Sequence, residues 1–420
     1  MTIARAVLLI SVASVAAAGV VALASRVPAE IRADKASPEA TDPELGASFT
    51  EAQVERHGAY RRGSYVGFAA SLVLEIVVLL ILARGPLGRF LDAISNLRGG
   101  WVTKALLAAL LVAVVGWLAQ LPLAYVRGYE IQHAWGLSTQ TAPAWLLDRG
   151  RSLLVAGVIA AVAALTFFGL VRWQPRTWWV WGWLGFTALT ALLYFLYPVA
   201  IAPLFNRFTP LEDPALESSI RSLAVDAGVA VDDVLVADAS RRSTVENAYV
   251  AGLGATKQVV VYDTLLAAGD QAETEYVVAH ELGHQVENHV LKNLVVSSMG
   301  LLLGFGALAL LVQRTAVLGW AGADSLQDPR TLPLLVLFAT AAGLLLLPAQ
   351  NAVSRNFEAR ADEIAIDLTG DPDTAVKVHR RLAFANLADL RPPRIAVWLL
   401  YSHPPVLDRI AAVAESRSSP

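Results

Sequence analysis

Cysteine is absent from the 420 residues, and methionine occurs only twice. Disulfides, thiolate metal ligands, cysteine nucleophiles and lipidated cysteines are thereby excluded, so any metal must be held by His, Asp or Glu. Charge is scarce as well. Asp, Glu, Lys and Arg make up 16% of the chain, lysine being confined to Lys35, Lys104, Lys257, Lys292 and Lys377. A net charge of -3 supplies no basic field to hold a phosphate backbone, and no nucleic acid is expected as a partner. What is abundant is apolar: 55% hydrophobic residues with 11 Trp leave too little polar surface for a water-soluble chain and exclude disorder. The lipid bilayer is the expected surrounding, with Trp collecting at its interfaces.

A helix crosses the hydrocarbon core with roughly 20 mostly apolar residues, because its backbone polar groups must be satisfied internally there. Seven stretches meet this requirement: 3–25, 65–83, 105–126, 152–171, 178–201, 293–313 and 331–349. Only Glu75 places a formal charge deep inside one of them, and it is expected to face other helices or water between them. The first stretch, with Arg5 ahead of its apolar run and small residues near Ala22 and Ala24, also fits a secretory signal. The polar connection 26–64 reads as an exposed cap or partly helical loop.

The fold class that follows is a mainly α polytopic membrane protein carrying a soluble part with a small β-sheet. Residues 1–201 form a membrane domain of five spans, 202–292 a first non-membrane block, 293–349 spans six and seven, and 350–420 a second block. Within the first block, 232–240 and 258–262 carry β-branched runs bounded by Gly, Asp and Ser, and 246–254 between them is a further extended candidate. Residues 271–292 have helical spacing without Pro and are expected to run unbroken into the sixth span.

That helix contains His280-Glu281-Leu282-Gly283-His284. Residues four apart share a helix face, so His280 and His284 can offer their imidazoles to one metal ion while Glu281 stands about 100° around, beside it. The pattern is that of a zinc hydrolase, and it would arise by chance about 0.005 times in a chain of this composition. Catalytic zinc takes three protein ligands and keeps one position for water. His289, five residues past His284, is rotated roughly 140° from that face on a continuous helix and is assigned to the helix surface or membrane interface. A carboxylate from a second helix is the better third ligand. Glu358 and Asp362, four apart after the seventh span, share a face; Glu358 as ligand leaves Asp362 one turn away to accept the free N–H of His280.

With these residues the sequence resembles the type I CAAX prenyl endopeptidases, seven-span membrane zinc proteases of the gluzincin type. The resemblance covers most of the chain: 204–211 (LFNRFTPL), Asn247-Ala248-Tyr249, HELGH at 280–284, Ser354-Arg355 leading to Glu358 and Asp362, 386–390 (NLADL), and Ser402-His403-Pro404-Pro405 with Arg409. Their order and spacing together are specific, whereas each short string alone is weak. The resemblance implies one zinc ion per chain, peptide-bond hydrolysis with Glu281 as general base, and His403 as a donor to the oxyanion. It also implies that Asn247 and Ala248 hold the substrate backbone as an added strand, and that the spans enclose a chamber; a solid bundle is equally compatible with hydropathy. Arg409 would orient His403 or a nearby carboxylate, or make a surface ion pair.

The expected partner is a peptide or protein substrate, lipid-modified or membrane-bound. Arg and Lys near the span ends slightly favour a multi-pass protein of the cell membrane with its catalytic part on the cytoplasmic side. A quality-control protease without prenyl specificity is the alternative for substrate. A transporter would need intramembrane charges or broken paired helices, which are lacking apart from Glu75, and a non-catalytic scaffold would lack a ligand or base.

Overall fold

The computed structural model describes residues 1–33, 49–252 and 257–418. Among them are seven helices long and apolar enough to cross a membrane: Ile3–Ala24, Glu51–Ala83, Gly100–Ala134, Ala142–Trp173, Trp178–Leu204, His289–Leu311 and Pro329–Thr369. Each of the seven expected stretches coincides with one of these helices, the first overrunning its helix by one residue and the sixth by two. Several helices continue well past their apolar cores, and these extensions organise the polar part of the molecule.

The second span begins at Glu51, with a capping box in which Thr50 Oγ1 accepts from Gln53 N and Gln53 Oε1 accepts from Thr50 N. Part of the connection expected over 26–64 is therefore a straight extension of that span; residues 34–48 of it lie outside the described ones. The last long helix, Leu332–Thr369, runs through Pro348 for 38 residues, roughly 57 Å, so its apolar half crosses the membrane and its polar half enters the soluble part without a joint.

A four-stranded sheet has the order β1 (Phe208–Pro210), β2 (Asp233–Ala237), β4 (Gln258–Tyr262), β3 (Ala248–Ala251). β2 and β4 run parallel, while β1 and β3 are antiparallel to their neighbours. Of the expected extended segment 246–254, the strand occupies Ala248–Ala251, and residues 253–254 are outside the description. The helices Pro214–Asp226 and Gln271–Val286 bury Leu216, Ile220, Tyr276, Val278 and Leu282 against Val259 and Val261 of β4. This burial supplies the main apolar stabilisation of the soluble part.

The helix containing His280 and His284 does not continue unbroken into the sixth span. It ends at Val286, and Asn288 takes a left-handed conformation (φ 53°) before a new helix starts at His289. Asn tolerates this region better than other side chains bearing a Cβ. The resulting bend changes the position of His289.

Among the spans lies a cavity of about 900 Å³ with walls mainly of Leu, Ala, Val and Phe, so the bundle is not solid. Glu75 lines it and accepts a hydrogen bond from Thr340 Oγ1 at 2.9 Å, facing neighbouring helices as expected. The wall reaches Gln350, about 12 Å along the long helix from Glu358.

Candidate metal centre

Two helices meet where the chemistry is concentrated. The Gln271–Val286 helix starts from a reciprocal cap between Asp270 and Glu273, which fixes its register. Its Gly283 packs on the long helix so closely that a Cβ there would stand 3.1 Å from both Cα and O of Ala361. Backbone thus meets backbone, and the flanking turns of the two helices bring their side chains together.

At that crossing His280 Nε2 is 3.3 Å from Glu358 Oε2, His284 Nε2 is 3.6 Å from Glu358 Oε1, and the two imidazole Nε2 atoms are 3.2 Å apart. His403 adds its Nε2 at 3.2 Å from Glu358 Oε2. Glu358 Oε2 is nevertheless buried without a hydrogen-bond partner. Ligand atoms that converge on one point and leave the buried Glu358 Oε2 unsatisfied suit a metal ion, and the donor set of two imidazoles and one carboxylate suits zinc. Glu281 is also close: one ligand atom from each of His280, Glu281 and His284 lies within 4.8 Å of the others. Glu358 approaches both imidazoles more closely and comes from the facing helix, which leaves Glu281 beside the site.

Behind the ligands, Asp362 Oδ1 lies 2.9 Å from His280 Nδ1. Arg409 holds Asp362 by two contacts, Nε to Oδ2 at 2.7 Å and Nη2 to Oδ1 at 2.5 Å. Of the three alternatives open for Arg409, the structure places it on the carboxylate. Burial disfavours the charged form of His280, but Asp362 and Glu358 outweigh it and raise the group to about 9. Burial pushes His284 down to about 4, and it raises Glu281 to about 7. The pair of carboxylates therefore draws positive charge into the site, as a divalent cation would supply.

His289 corrects the assignment to the helix surface or membrane interface. It is 3% exposed, its Nδ1 is 2.8 Å from His284 Nδ1, and its ring stacks on Phe357 at 4.2 Å. The bend at Asn288 swings it back towards His284, where it takes the outer side of that imidazole as Asp362 takes that of His280. A preference of Asn for the left-handed region was the available signal.

Other residues gain partners that no short-range pattern shows. His379 is buried behind Asp362, with Tyr276 Oη 3.2 Å from its Nε2. Glu246 pairs with Arg381 at 2.8 Å, and Arg242 binds Asp148 at 2.7 Å and Asn206 at 2.9 Å. Asn247 precedes β3, the edge strand of the sheet, and its carbonyl accepts from Tyr262 N. Ala248 is 2% exposed, so its contribution towards a ligand is confined to its main chain. His403 has a side chain 58% exposed beside the buried Glu358, and is accessible to a bound molecule.

One face of the second span holds this assembly from below. Arg61 donates to the carbonyls of Leu387 (2.7 Å) and Asn386 (3.1 Å), and His57 Nδ1 is 2.7 Å from the carbonyl of Ala388. Tyr65 Oη donates to Asp389 Oδ2 at 2.8 Å and is also 2.8 Å from Tyr401 Oη. Asn386 exchanges contacts with the backbone of Glu246, one residue before Asn247. The spacing 57, 61, 65 is one helix face, but its partners are more than 300 residues distant.

A polytopic helical membrane protein whose helix crossing gathers a His/Glu group able to hold a metal ion has the features of a membrane metallopeptidase. Residues 210–417 match the model for peptidase family M48, and residues 31–207 match that for the CAAX prenyl protease N-terminal region, described as five membrane helices. The chain is 33% identical to the uncharacterized metalloprotease YhfN of Bacillus subtilis over 74% of this chain and 73% of that one. It is 30% identical to CAAX prenyl protease 1 of Saccharomyces cerevisiae over 72% and 70% of the two chains. The crystal structure of Ste24p from S. mikatae shares the fold with a TM-score of 0.76, covering 97% of this chain and 98% of that one at 24% identity. The chain belongs to peptidase family M48, as a membrane metalloprotease of the CAAX prenyl protease type.

Proposed function

We propose that the protein is a zinc endopeptidase that hydrolyses peptide bonds in membrane-bound or lipid-modified proteins, with His280, His284 and Glu358 holding the ion. The reading is carried by the buried Glu358 carboxylate, which faces both motif imidazoles without hydrogen-bonding to either through Oε2. Zinc, when bound, supplies a polarised water of lowered pKa and a Lewis acid for the scissile carbonyl. Glu281 accepts a proton from the attacking water and returns it to the amine nitrogen as the C–N bond breaks. His403, exposed beside Glu358, donates a hydrogen bond to the carbonyl oxygen as it gains negative charge. Asp362 orients His280 and is itself fixed by Arg409.

The free edge of β3 lies in the same half, and β3 packs against the helix of His280 and His284. A substrate paired there as an added strand would be held by main-chain hydrogen bonds to Ala248 irrespective of substrate sequence, with the side-chain amide of Asn247, whose main chain is engaged by Tyr262, as a further contact. The catalytic part then faces the cytoplasm of a cell-membrane protein. Incubating detergent-solubilised parent and Glu281→Gln protein with membrane proteins, followed by peptide mapping, tests the assignment. The parent should release new peptides and the variant fewer by at least about a hundredfold, while both retain the metal. Identical fragments from both would reject Glu281 as the base. Paired prenylated and unprenylated peptides separate a CAAX-type substrate from general quality-control cleavage, the latter cutting both at similar rates.

A further inference from the structure

Two arginines near the membrane face that carries the soluble part form no ion pair with an acid among the described residues. Arg127 lies in a widened helical turn, Val126–Glu130, at the end of the third span, and Arg149 lies in the opening turns of the fourth, Ala142–Trp173. The segment between them pairs with the soluble part through Ser138 and Ser243, so both arginines lie near the ends of their spans that face the soluble part. They line one pocket of about 470 Å³ between spans two, three and four. Gln120 and Arg149 also line the 900 Å³ apolar cavity, so the two spaces adjoin.

The polar environment of each guanidinium is incomplete. Arg127 Nη1 donates to Ser71 Oγ at 2.7 Å, and its side chain lies over Gly67, where a Cβ would clash with Nε. Arg149 rests on the Trp145 ring at 5.8 Å, and its Nε is buried without a hydrogen-bond partner. Of the neighbouring acids, Asp148 pairs with Arg242 and Arg151, Glu75 accepts from Thr340, and Glu130, on the turn of Arg127, is exposed and forms no ion pair with it. Cations at a membrane boundary without a counter-charge call for an anion from outside the chain. A guanidinium fork suits a phosphate oxygen pair, and the adjoining apolar cavity suits hydrocarbon.

We propose that this pocket binds an anionic phospholipid, its phosphate held by Arg127 and Arg149 and an acyl chain entering the cavity between the spans. The site is separate from the metal centre and does not depend on the proteolytic reading. Native mass spectrometry of delipidated full-length protein, titrated with phosphatidylglycerol or phosphatidylcholine of identical chains, tests it. Phosphatidylglycerol should bind about tenfold tighter than phosphatidylcholine, and the Arg127→Gln/Arg149→Gln protein should lose that preference. Gly67→Ala, which displaces only the flexible Arg127 side chain, should lose part of it and remains decisive if the double variant does not fold. Equal binding of the two lipids by the parent, or unchanged preference in Gly67→Ala, would overturn the proposal. Displacement of the lipid by inorganic phosphate at equal concentration would mark a free-phosphate site instead and overturn the lipid assignment.

Discussion

Gly283 stands between the two motif histidines because only a residue without Cβ allows the two helices to meet at that turn. Replacing it with Ala forces a Cβ against backbone atoms of Ala361, which cannot yield as a side chain can. Gly283→Ala is expected to spread Glu358 from the imidazoles and lower peptidase activity by about a hundredfold, with reduced zinc retention; activity within twofold of the parent would show that the crossing tolerates it. His379 makes a second prediction at this scale. Burial, followed by the charge of Arg409, lowers it from 6.5 to about 3, so the folded state holds it neutral. A depressed folded value means that its stability contribution is complete above pH 6.5 and declines as pH falls towards 3, reaching a loss of about 2 kcal/mol at pH 5. Thermal unfolding in detergent should show a shallower decline between pH 6.5 and 4 for His379→Gln than for the parent; parallel curves would contradict the buried neutral imidazole.

At the scale of elements, the second span acts as a strut. Its polar extension grips the 386–389 loop and Tyr401, the first adjoining the approach to β3 and the second lying two residues before His403. Tyr65→Phe removes the hydroxyl between Asp389 and Tyr401 and leaves Asp389, 7% exposed, with a lost donor. We expect kcat to fall about tenfold with zinc content unchanged, because the affected group is the His403 loop rather than a ligand. Unchanged kcat would remove the strut from the account. None of this was legible in the sequence, since i, i+4, i+8 spacing on an extension of a span shows a face but not what it faces. The helix crossing was legible in part: spacing paired His280 with His284 and Glu358 with Asp362, whereas the break at Asn288 hid the contact of His289 with His284.

For the whole molecule, the spans were readable because a bilayer imposes a minimum run of apolar residues, and each expected stretch coincides with a helix to within two residues at its overrunning end. Their ends were not readable, because a helix leaving the membrane can continue in water when its polar half packs, as Leu332–Thr369 does from Ala349 to Thr369. That continuity ties the membrane part to the chemistry: the cavity wall at Gln350 and the carboxylate of Glu358 belong to one rigid element. An ion shared between that helix and the one bearing His280 is the central requirement of the proposed chemistry. Elemental analysis of purified parent and Glu358→Gln protein after equal dialysis tests this most directly. We predict one zinc per chain in the parent and, in the variant, less than about a tenth of that; equal zinc in both, or none in a parent that still cleaves peptides, would contradict it.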